Sequence, residues 1–409
     1  MKYYADLHNH SKYSRATSPQ MDLHWQTHYG KIKGLNMLGT GDFTHPLWLK
    51  ELKQKLTGNS IYNYNGMNWV LSAEVSNIYH DEGLKKIHHI LLAPDFETVD
   101  QIIELLNPKG KLASDGRPIF GGYSSRDLVY DLKHINQNIE IIPAHIWTPW
   151  FSLFGSKSGY NNIKDCYKDQ LKYVHALETG LSSDPEMNWQ VSQTHRYTLL
   201  SNSDSHSPWP WRLGRECNVF DFEQVTYEKL IKNIRENKLD STIEVDPNYG
   251  KYHYDGHRAC GISLSPEQTR QVGGICPKCH APLTIGVLSR VMELTDKPIG
   301  FKPDNAVPFK SVLPLAEIIR VWKNIANINS QTVRRAYDDF INKFGNEFKV
   351  LFETPIMELN KIDETLADMI LQNREGKISY TPGFDGVYGE PLFSKNVVKM
   401  EEKKLNEFF

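Results

Sequence analysis

The sequence is short of cysteine, of long apolar runs and of net charge. Its 409 residues include only 5 cysteines, an odd number, and the amino-terminal MKYYADLHNH becomes polar at once. Both features argue against a secreted protein held together by disulfides, and they predict a cytoplasmic location. No stretch approaches the roughly 18 consecutive apolar residues of a membrane span, which excludes a membrane protein. Because 47 basic side chains are balanced by 49 acidic ones, the composition does not indicate a strongly basic nucleic-acid binder.

Histidine, in contrast, is abundant. The chain has 16 histidines, and histidine is the most frequent metal ligand in proteins. Many of them occur with carboxylates at the ends of short apolar runs, a recurrence that indicates a metal centre rather than isolated core histidines. These groups are Asp6, His8 and His10 in DLHNHS, Asp42 and His45 in GTGDFTH, Glu74 in LSAEVS, His88 and His89 in KKIHHILLA, His145 in IIPAHIW, and Asp204 and His206 in NSDSH.

The first part of the chain alternates between strand-like and helix-like patterns. The predicted strands cover residues 3–8, 35–39, 69–74, 87–93, 141–145, 174–178 and 198–203, and the predicted helices include 46–56, 96–106, 126–135 and 227–237. Such alternation is typical of parallel strands with crossover helices, and it predicts an α/β fold with a β/α barrel. The histidines and carboxylates lie at the carboxyl ends of these strands, which form the active-site face of a barrel.

Three further regions follow the barrel, which we place at residues 1–245. The turn-rich DPNYGKYHYDG begins a small Cys/His module at residues 246–300. Helical periodicity in LPLAEIIRVWKNI, QTVRRAYDDFINKFG and KIDETLADMILQNREG predicts a helical C-terminal domain at residues 301–395. Residues 396–409 form a charged tail.

The Cys/His module has the spacing of a structural zinc site. His257 and Cys260 form an H-x2-C pair, and Cys276 and Cys279 form a C-x2-C pair further along. Two such pairs present four ligands to one tetrahedral ion, which predicts one structural zinc. His253 and His280 are alternative fourth ligands.

The ligand types in the barrel indicate an open catalytic metal site. Imidazole and carboxylate without thiolate suit zinc, manganese or iron; we expect zinc, with manganese or magnesium as alternatives. The ligand-type side chains outnumber those that one ion takes, so two or three ions are implied. Glu74 or Asp204 is suited to bridging two ions, and closely spaced ions predict phosphoester hydrolysis. Glu178 and Asp184 are candidates for orienting water, with a structural role for Glu178 as the alternative.

The order of these motifs resembles the polymerase-and-histidinol-phosphatase (PHP) superfamily of distorted β/α barrels with three-metal sites. The resemblance covers residues 1–240 and implies three ligand sets. They are His8, His10, Glu74 and Asp204 for one ion, Glu74, His145 and either His88 or His89 for a second, and His206 with Asp42 for a third. The sequence departs from the common pattern twice: Arg15 and Ala16 stand where a further histidine is usual, and GDFTH replaces TDH. Asp42 and His45 are therefore alternative ligands.

Aromatic and basic residues follow two of the ligand motifs. Next to a metal centre, such residues are suited to stacking an unpaired base and holding phosphates; packed loop aromatics are the alternative interpretation. The candidate substrate-binding residues are Arg15, Trp147, Trp150, Phe151, Tyr160 and Trp209, and the candidate phosphate contacts are Arg212 and Arg215.

Together with the zinc module and the closing TPGFDGVYGE, the whole chain resembles the endonuclease Q family. TGDFTHPLW, SNSDSHSPWPW and GGICPKC carry the resemblance. It implies a metal-dependent DNA repair endonuclease that recognises deaminated bases (uracil, hypoxanthine, xanthine) and abasic sites and hydrolyses the phosphodiester 5′ of the lesion. The helical domain would bind DNA, and the catalytic residues would be Glu74, Asp204, Arg212 and Arg215.

Two other functions remain as alternatives. A PHP-type phosphatase or exonuclease acting on ends or small phosphoesters would leave the zinc module and the helical domain without a task. A non-catalytic DNA-binding scaffold would be expected to have lost its ligands, whereas HxH and SDSH are intact. The tail residues Leu405, Phe408 and Phe409 resemble a sliding-clamp-binding peptide; an apolar tail docked on its own domain is the alternative.

Overall fold

The computed structural model describes residues 1–394, which form a curled half-barrel sheet, a small Cys/His module and a helical region. The α/β class and the helical C-terminal region are thus confirmed. The terminal peptide with Leu405, Phe408 and Phe409 lies outside the described residues. Within residues 1–394, every helix is too short or too polar to span a membrane.

The strands and helices follow one another along most of the chain. The strands are β1 (Lys2–Asp6), β2 (Met37–Gly39), β3 (Tyr62–Tyr64), β4 (Met67–His80), β5 (Leu84–Ala93), β6 (Ile119–Gly121), β7 (Glu140–Pro143), β8 (Ala176–Glu178), β9 (Thr198–Leu200), β10 (Cys217–Asp221), β11 (Ser241–Glu244), β12 (Asp255–His257), β13 (Ile262–Leu264), β14 (Phe309–Ser311), β15 (Ser379–Thr381) and β16 (Glu390–Leu392). The helices are α1 (Leu23–Lys33), α2 (Pro46–Lys55), α3 (Phe96–Leu106), α4 (Ser125–Ile135), α5 (Ile163–Tyr167), α6 (Pro185–Trp189), α7 (Tyr227–Arg235), α8 (Pro266–Gln271), α9 (Val287–Leu294), α10 (Leu315–Trp322), α11 (Gln331–Phe344), α12 (Ile356–Asn360) and α13 (Glu364–Arg374).

The main sheet is mixed, so the prediction of parallel strands throughout is wrong. Its order is β14-β11-β10-β1-β2-β4-β5-β7, with β3 and β6 paired to β4. The pairs β1–β2 and β2–β4 are parallel, but β1–β10 and β4–β5 are antiparallel. A tight turn at residues 81–83 joins β4 directly to β5, with the Asp81 N–H bonded to the Gly83 carbonyl. A turn this short can connect only antiparallel strands, because a parallel connection needs a dozen or more residues.

Amphipathic helices cover the sheet. In α3, the buried residues Val99, Ile102 and Leu106 recur at helical spacing, and Asp95 caps the first turn by accepting a hydrogen bond from the Thr98 N–H. These side chains belong to the same buried apolar cluster as the β5 residue Leu91. The helical pattern in the sequence therefore identified the face that packs on the sheet.

The three predicted C-terminal helices correspond to α10, α11 and α13, which share a second buried cluster. Strand β14 precedes them and pairs in parallel with β11 of the main sheet. The segment predicted as helical from residue 301 thus begins with a strand of the main sheet, and its first helix, α10, starts only at Leu315.

A buried ion pair ties α1 to the helical region. Lys33 Nζ lies 2.7 Å from Glu347 Oε1, and the two side chains are 2% and 0% exposed. Glu347 also accepts hydrogen bonds from the Leu315 N–H and the Tyr337 hydroxyl. The glutamate is therefore satisfied on both oxygens, and Lys33 depends on it for charge balance.

Replacing Glu347 by alanine is expected to lower the free energy of unfolding by about 3–5 kcal/mol, because the Lys33 ammonium is left buried without its counter-ion. The double variant Lys33→Met/Glu347→Leu should recover much of this loss, since an apolar pair carries no desolvation cost. Urea denaturation measures both. A single variant within about 1 kcal/mol of the wild type would contradict the expectation.

Candidate active site and metal centres

Most of the predicted metal-centre residues converge on one open cleft. It has a volume of about 730 Å³, and His88, His145, Asp204 and His206 lie on its wall. Residues from the Cys/His module and the C-terminal region complete the wall, among them Lys251, Tyr252 and Tyr388. The site is thus built from all three regions of the chain.

Four side chains form the first group of metal-ligand type. His8 and His10 follow β1 two residues apart, and Nε2 of His10 lies 3.1 Å from Asp204 Oδ1 and 3.4 Å from Glu74 Oε2. Nε2 of His8 lies 3.7 Å from the same two oxygens. One ligand atom from each residue falls within 4.8 Å of the others, a spread that one ion with bonds of about 2.0–2.3 Å can join.

Glu74 also belongs to a second group, with His88 and His145. Its Oε1 lies 2.7 Å from His88 Nδ1 and 3.2 Å from His145 Nε2. The two oxygens of one carboxylate are therefore divided between the groups, as for a ligand shared by two ions. Glu74 lies in the middle of β4 rather than at its end, because β4 continues into the hairpin with β5.

The structure distinguishes His88 from His89. Successive side chains of a strand alternate between faces, and His89 Nδ1 lies 3.1 Å from Asn77 Oδ1 while its Nε2 lies 2.9 Å from the Tyr167 hydroxyl. Burial lowers the pKa of His89 to about 3. Of the two alternatives, only His88 lies with the other ligand-type side chains, so His89 has no place in the metal centre.

Buried carboxylates orient the histidine rings. Glu178 lies 3.0 Å from His8 Nδ1 and also accepts a hydrogen bond from the His145 backbone N–H. Asp42 Oδ1 lies 3.1 Å from His10 Nδ1. A carboxylate on Nδ1 fixes the tautomer and leaves Nε2 free for an ion. Glu178 therefore has the structural role rather than the role of orienting water.

Neither member of the pair predicted for a third ion, Asp42 and His206, belongs to a group of three or more ligand-type side chains among the described residues. Asp42 Oδ2 accepts hydrogen bonds from the Ser11 N–H and hydroxyl and from the Ser14 hydroxyl, so the protein itself uses both Asp42 oxygens. The alternative, His45, stacks on Tyr13 with ring centres 4.4 Å apart. His206 lies against His10, with ring centres 4.4 Å apart, and its Nδ1 lies 3.7 Å from Asp204 Oδ1. In the structure Asp42 thus orients the His10 ring, and its role as a ligand stays a prediction.

Three site residues occupy the left-handed backbone region. Asp42, His145 and Asp204 have φ values of 51°, 30° and 46°, conformations that cost about 1–3 kcal/mol each and cluster at functional sites. Gly180 permits the close approach at His145, because a Cβ on Gly180 would lie 2.8 Å from the His145 Cβ. The loops are therefore shaped for side-chain placement rather than for local stability.

Arg117 is a site residue that the sequence did not reveal. Its Nη1 lies 3.1 Å from Glu74 Oε2. Burial alone would raise the pKa of the Glu74 carboxyl, but His88, Arg117 and His8 hold it well below its usual range. Arg117 stands in the loop SDGRP, which has neither periodicity nor a ligand motif.

An unpartnered buried atom supports metal binding at this centre. His8 is 2% exposed, and its Nε2 makes no hydrogen bond to any residue in the range 1–394. Buried polar atoms without a hydrogen-bond partner are rare, because leaving water without a new partner costs free energy. Coordination of an ion by Nε2 would offset this cost. The imidazole and carboxylate donors fit a zinc or manganese ion.

The Cys/His module also brings its predicted ligands together. His257, Cys260, Cys276 and Cys279 each place one atom within 4.8 Å of the others. Burial would raise the pKa of the Cys276 thiol, but the Lys278 and Cys279 N–H groups lower it to about 6, which favours the thiolate that binds metal. The alternative His253 is buried elsewhere, with Nδ1 3.2 Å from the Ser182 carbonyl, and His280 lies outside the group.

Two of the predicted substrate-binding aromatics belong to the core instead. Trp147 is 1% exposed and donates its Nε1–H to Asn188 Oδ1, and Tyr160 is 6% exposed with its hydroxyl bonded to Asp81. Trp209 stacks on Trp211 with ring centres 5.7 Å apart. All three fit the alternative interpretation of packed loop aromatics. Trp147 and Tyr160 use their polar atoms in hydrogen bonds within the fold, and the Trp209 ring packs on a neighbouring ring.

Trp150 and Phe151 do lie on the cleft wall. Trp150 is 38% exposed, and the Phe151 ring packs 4.6 Å from that of His88. Arg15 is 85% exposed, near Asp115, and its neighbour Ala16 lines the cleft. An apolar rim thus adjoins the metal centre.

Arg212 and Arg215 reach the cleft from the loop after Asp204. Arg215 is 5% exposed, and it donates from Nη1 to the Tyr388 hydroxyl and from Nη2 to the Ser203 carbonyl. Arg212 donates to the Tyr249 hydroxyl. Both guanidinium groups are therefore held in place beside the metal centre.

Asp184 caps α6 and lies outside both metal-ligand groups. Its Oδ1 accepts a hydrogen bond from the Met187 N–H, and burial raises the pKa of its carboxyl to about 6. The charged form of Asp184 is thus disfavoured in the folded protein. The free energy of unfolding therefore falls as the pH rises from about 4 to about 6 and the carboxyl ionises.

Replacing Asp184 by asparagine keeps the cap and removes the charge. We expect the variant to gain up to about 3 kcal/mol of unfolding free energy over the wild type between pH 4 and pH 8, the equivalent of the pKa shift. Urea denaturation of both proteins across this range measures the difference. A difference that stays constant with pH would contradict the expectation.

Comparison with known proteins places this arrangement in a family. A family model described as the MJ0043 C-terminal domain matches residues 314–377. The uncharacterized protein MJ0043 of Methanocaldococcus jannaschii is 36% identical over 293 residues, and the match covers 69% of this chain but only 36% of that protein.

Two solved structures match over nearly their full lengths. The lesion-specific endonuclease PfuEndoQ from Pyrococcus furiosus is 33% identical with a TM-score of 0.86, covering 100% of this chain and 99% of its own. An endonuclease Q in complex with a 27-mer duplex substrate, with an abasic lesion at the active site, is 33% identical with a TM-score of 0.88, covering 98% of each chain. The chain therefore belongs to the endonuclease Q family.

Proposed function

We propose that the protein is a metal-dependent DNA repair endonuclease that recognises deaminated bases (uracil, hypoxanthine, xanthine) and abasic sites and hydrolyses the phosphodiester 5′ of the lesion. The observation that carries this proposal is the division of the Glu74 carboxylate between two groups of ligand-type residues in an open cleft. The relatives that are endonucleases, one of them bound to an abasic duplex, support DNA as the substrate.

The chain offers residues for two catalytic ions and one structural ion. His8, His10, Glu74 and Asp204 would hold one, Glu74, His88 and His145 a second, and the Cys/His group a structural zinc. Zinc is the expected metal, with manganese or magnesium as alternatives at the catalytic positions. When bound, such ions supply the Lewis acidity that stabilises negative charge on a phosphate in displacement reactions.

The protein's own side chains prepare the site for the substrate. Glu178 and Asp42 hold the histidine rings, and Arg117 compensates part of the negative charge of Glu74. Arg212 and Arg215 contact phosphates, while Trp150 and Phe151 offer apolar surface to an extruded nucleotide. Deaminated and missing bases cost less to unpair than normal ones, which gives the enzyme one source of selectivity.

The proposal is tested with a duplex that carries one internal uracil, hypoxanthine or abasic site and is labelled on both strands. We expect one nick 5′ of the lesion that needs added zinc or manganese and that a chelator abolishes. The undamaged duplex is the control. Digestion from the ends would favour a PHP-type phosphatase or exonuclease, and an intact lesion strand would reject the nuclease.

A clamp-binding role for Leu405, Phe408 and Phe409 is a further part of the proposal. Removal of residues 402–409 should abolish co-purification with the sliding clamp and leave nicking of a short duplex unchanged. Retained clamp binding would reject this role.

A further inference from the structure

Beside the metal centre, three regions of the chain meet at one corner of the cleft, two of them with basic side chains and the third with a tyrosine. Arg212 and Arg215 come from the loop after Asp204, Lys251 from the start of the Cys/His module, and Tyr388 from the C-terminal segment. The two arginines share the Tyr388 ring, with the guanidinium carbons of Arg212 and Arg215 at 5.0 and 5.9 Å from its centre. The Tyr388 hydroxyl accepts a hydrogen bond of 3.1 Å from Arg215.

No described carboxylate within 4.0 Å neutralises Arg212, Arg215 or Lys251. In addition, Nε of Arg215 has no hydrogen-bond partner in residues 1–394, although this side chain is 5% exposed. Burial would raise the pKa of the Tyr388 phenol, but Arg215, Arg212 and Lys251 lower it to about 8. A buried cation without a counter-ion in direct contact is costly, so the Arg215 guanidinium can still take an anion. The carboxylates of Glu317 and Glu216 act on Arg212 and Arg215 only from beyond 4.0 Å.

Backbone pairing fixes Tyr388 in the cleft. The Gly386 N–H donates to the Lys251 carbonyl, the Gly389 N–H to the Tyr249 carbonyl and the Tyr254 N–H to the Gly383 carbonyl. A Cβ on Gly389 would lie 2.1 Å from the Asn248 carbonyl oxygen, so this close approach requires glycine. The PGFDGVYGE segment thus serves to present Tyr388 next to Lys251.

We propose that Arg212, Arg215, Lys251 and Tyr388 form a binding site for the DNA backbone phosphate next to the scissile one. The inference rests on the proposed function. Arg215 donates to the carbonyl of Ser203, the residue before Asp204, which places this site directly beside the metal centre. The guanidinium groups and the ammonium supply charge and donors for phosphate oxygens, and Tyr388 is a positioning residue that holds Arg215.

The test replaces single phosphates near an abasic site by neutral methylphosphonates, in a duplex whose scissile phosphodiester is made uncleavable by a methylene group in place of its bridging 3′-oxygen. Fluorescence anisotropy then measures duplex affinity for the full-length, metal-loaded protein. For the wild type we expect one position next to the scissile phosphate at which the substitution weakens binding about tenfold. Lys251→Met should weaken binding of the normal duplex to a similar extent and lower the slope of log affinity against log salt by about 0.9. Lys229, an exposed residue of α7, supplies the control. In Lys229→Met we expect the methylphosphonate next to the scissile phosphate to weaken binding as much as in the wild type.

The decisive result is the coupling between protein and DNA changes. In Lys251→Met and in Tyr388→Phe, which keeps the ring but removes the hydroxyl, the methylphosphonate at this position should cost much less than in the wild type. Equal sensitivity of wild type and both variants at every position would overturn the site. Because binding is measured apart from cleavage, a protein that binds with this coupling but never nicks would reject the proposed function and not the phosphate site.

Discussion

Replacing Glu74 by glutamine should reduce nicking of a lesion-containing duplex by at least about a thousandfold. The amide keeps the size of the side chain but loses the charge and one of the two oxygens that face His8 and His10 on one side and His88 and His145 on the other. Loss of the shared ligand weakens both groups together, and several kcal/mol of transition-state stabilisation correspond to this factor. Single-turnover cleavage rates and metal content by mass spectrometry measure the effect.

The neighbours His88 and His89 supply a matched control for this prediction. His88→Gln should lose one catalytic ion and most of the activity, whereas His89→Gln should keep the ions, because His89 is bonded to Asn77 and Tyr167 on the other face of β5. Its cost should appear in stability instead. Loss of metal in His89→Gln with retention in His88→Gln would reverse the assignment, and full activity of Glu74→Gln would reject the site.

The second large effect is expected at the Cys/His module. Cys276→Ser should remove the zinc that we propose for the Cys/His group and unfold the module locally, because a hydroxyl is a poor substitute for a thiolate. Structural zinc sites contribute about 10–16 kcal/mol of apparent binding free energy in zinc-finger peptides. Zinc content should fall by one ion, and hydrogen exchange should rise across residues 253–285. The catalytic ions should remain.

Cys166→Ser is the matched control for the zinc site. Cys166 is also a buried cysteine, but it lies near the Tyr79 hydroxyl and belongs to no ligand group. This variant should retain all of the zinc. Unchanged zinc content in Cys276→Ser would contradict the assignment of the module.

The ligand-type residues were predictable where chemistry and local pattern coincide. The HxH motif at a strand end predicts from local geometry alone that His8 and His10 lie on one face. The spacing within the two Cys/His pairs likewise predicts four ligands for one ion. The pairing of β4 with β5 was not predictable from periodicity, because an antiparallel hairpin and a parallel crossover bury the same apolar residues. Hence Glu74 and His88 were identified, while their position in the middle of a hairpin was not.

The remaining site residues depend on tertiary contacts. Trp147 and Tyr160 follow the same pattern as Trp150, and only the partners Asn188 and Asp81 decide that the first two are core residues. Arg117 reaches Glu74 from a loop without a motif. The hydrogen bonds of Asp42 with the hydroxyl groups of Ser11 and Ser14 follow from no spacing rule.

The pairing of residues 383–389 with residues 248–254 also sets the order in which the cleft is completed during synthesis. Chains emerge from the ribosome with the amino-terminal end first, so the ligand-type residues up to His206 are available to fold long before Tyr388 has been made. A nascent chain that ends before residue 383 therefore lacks this corner of the cleft, and the wall closes only when almost all of the described chain has emerged. The cleft wall that contains Tyr388 is therefore among the last parts of the described chain to be synthesised.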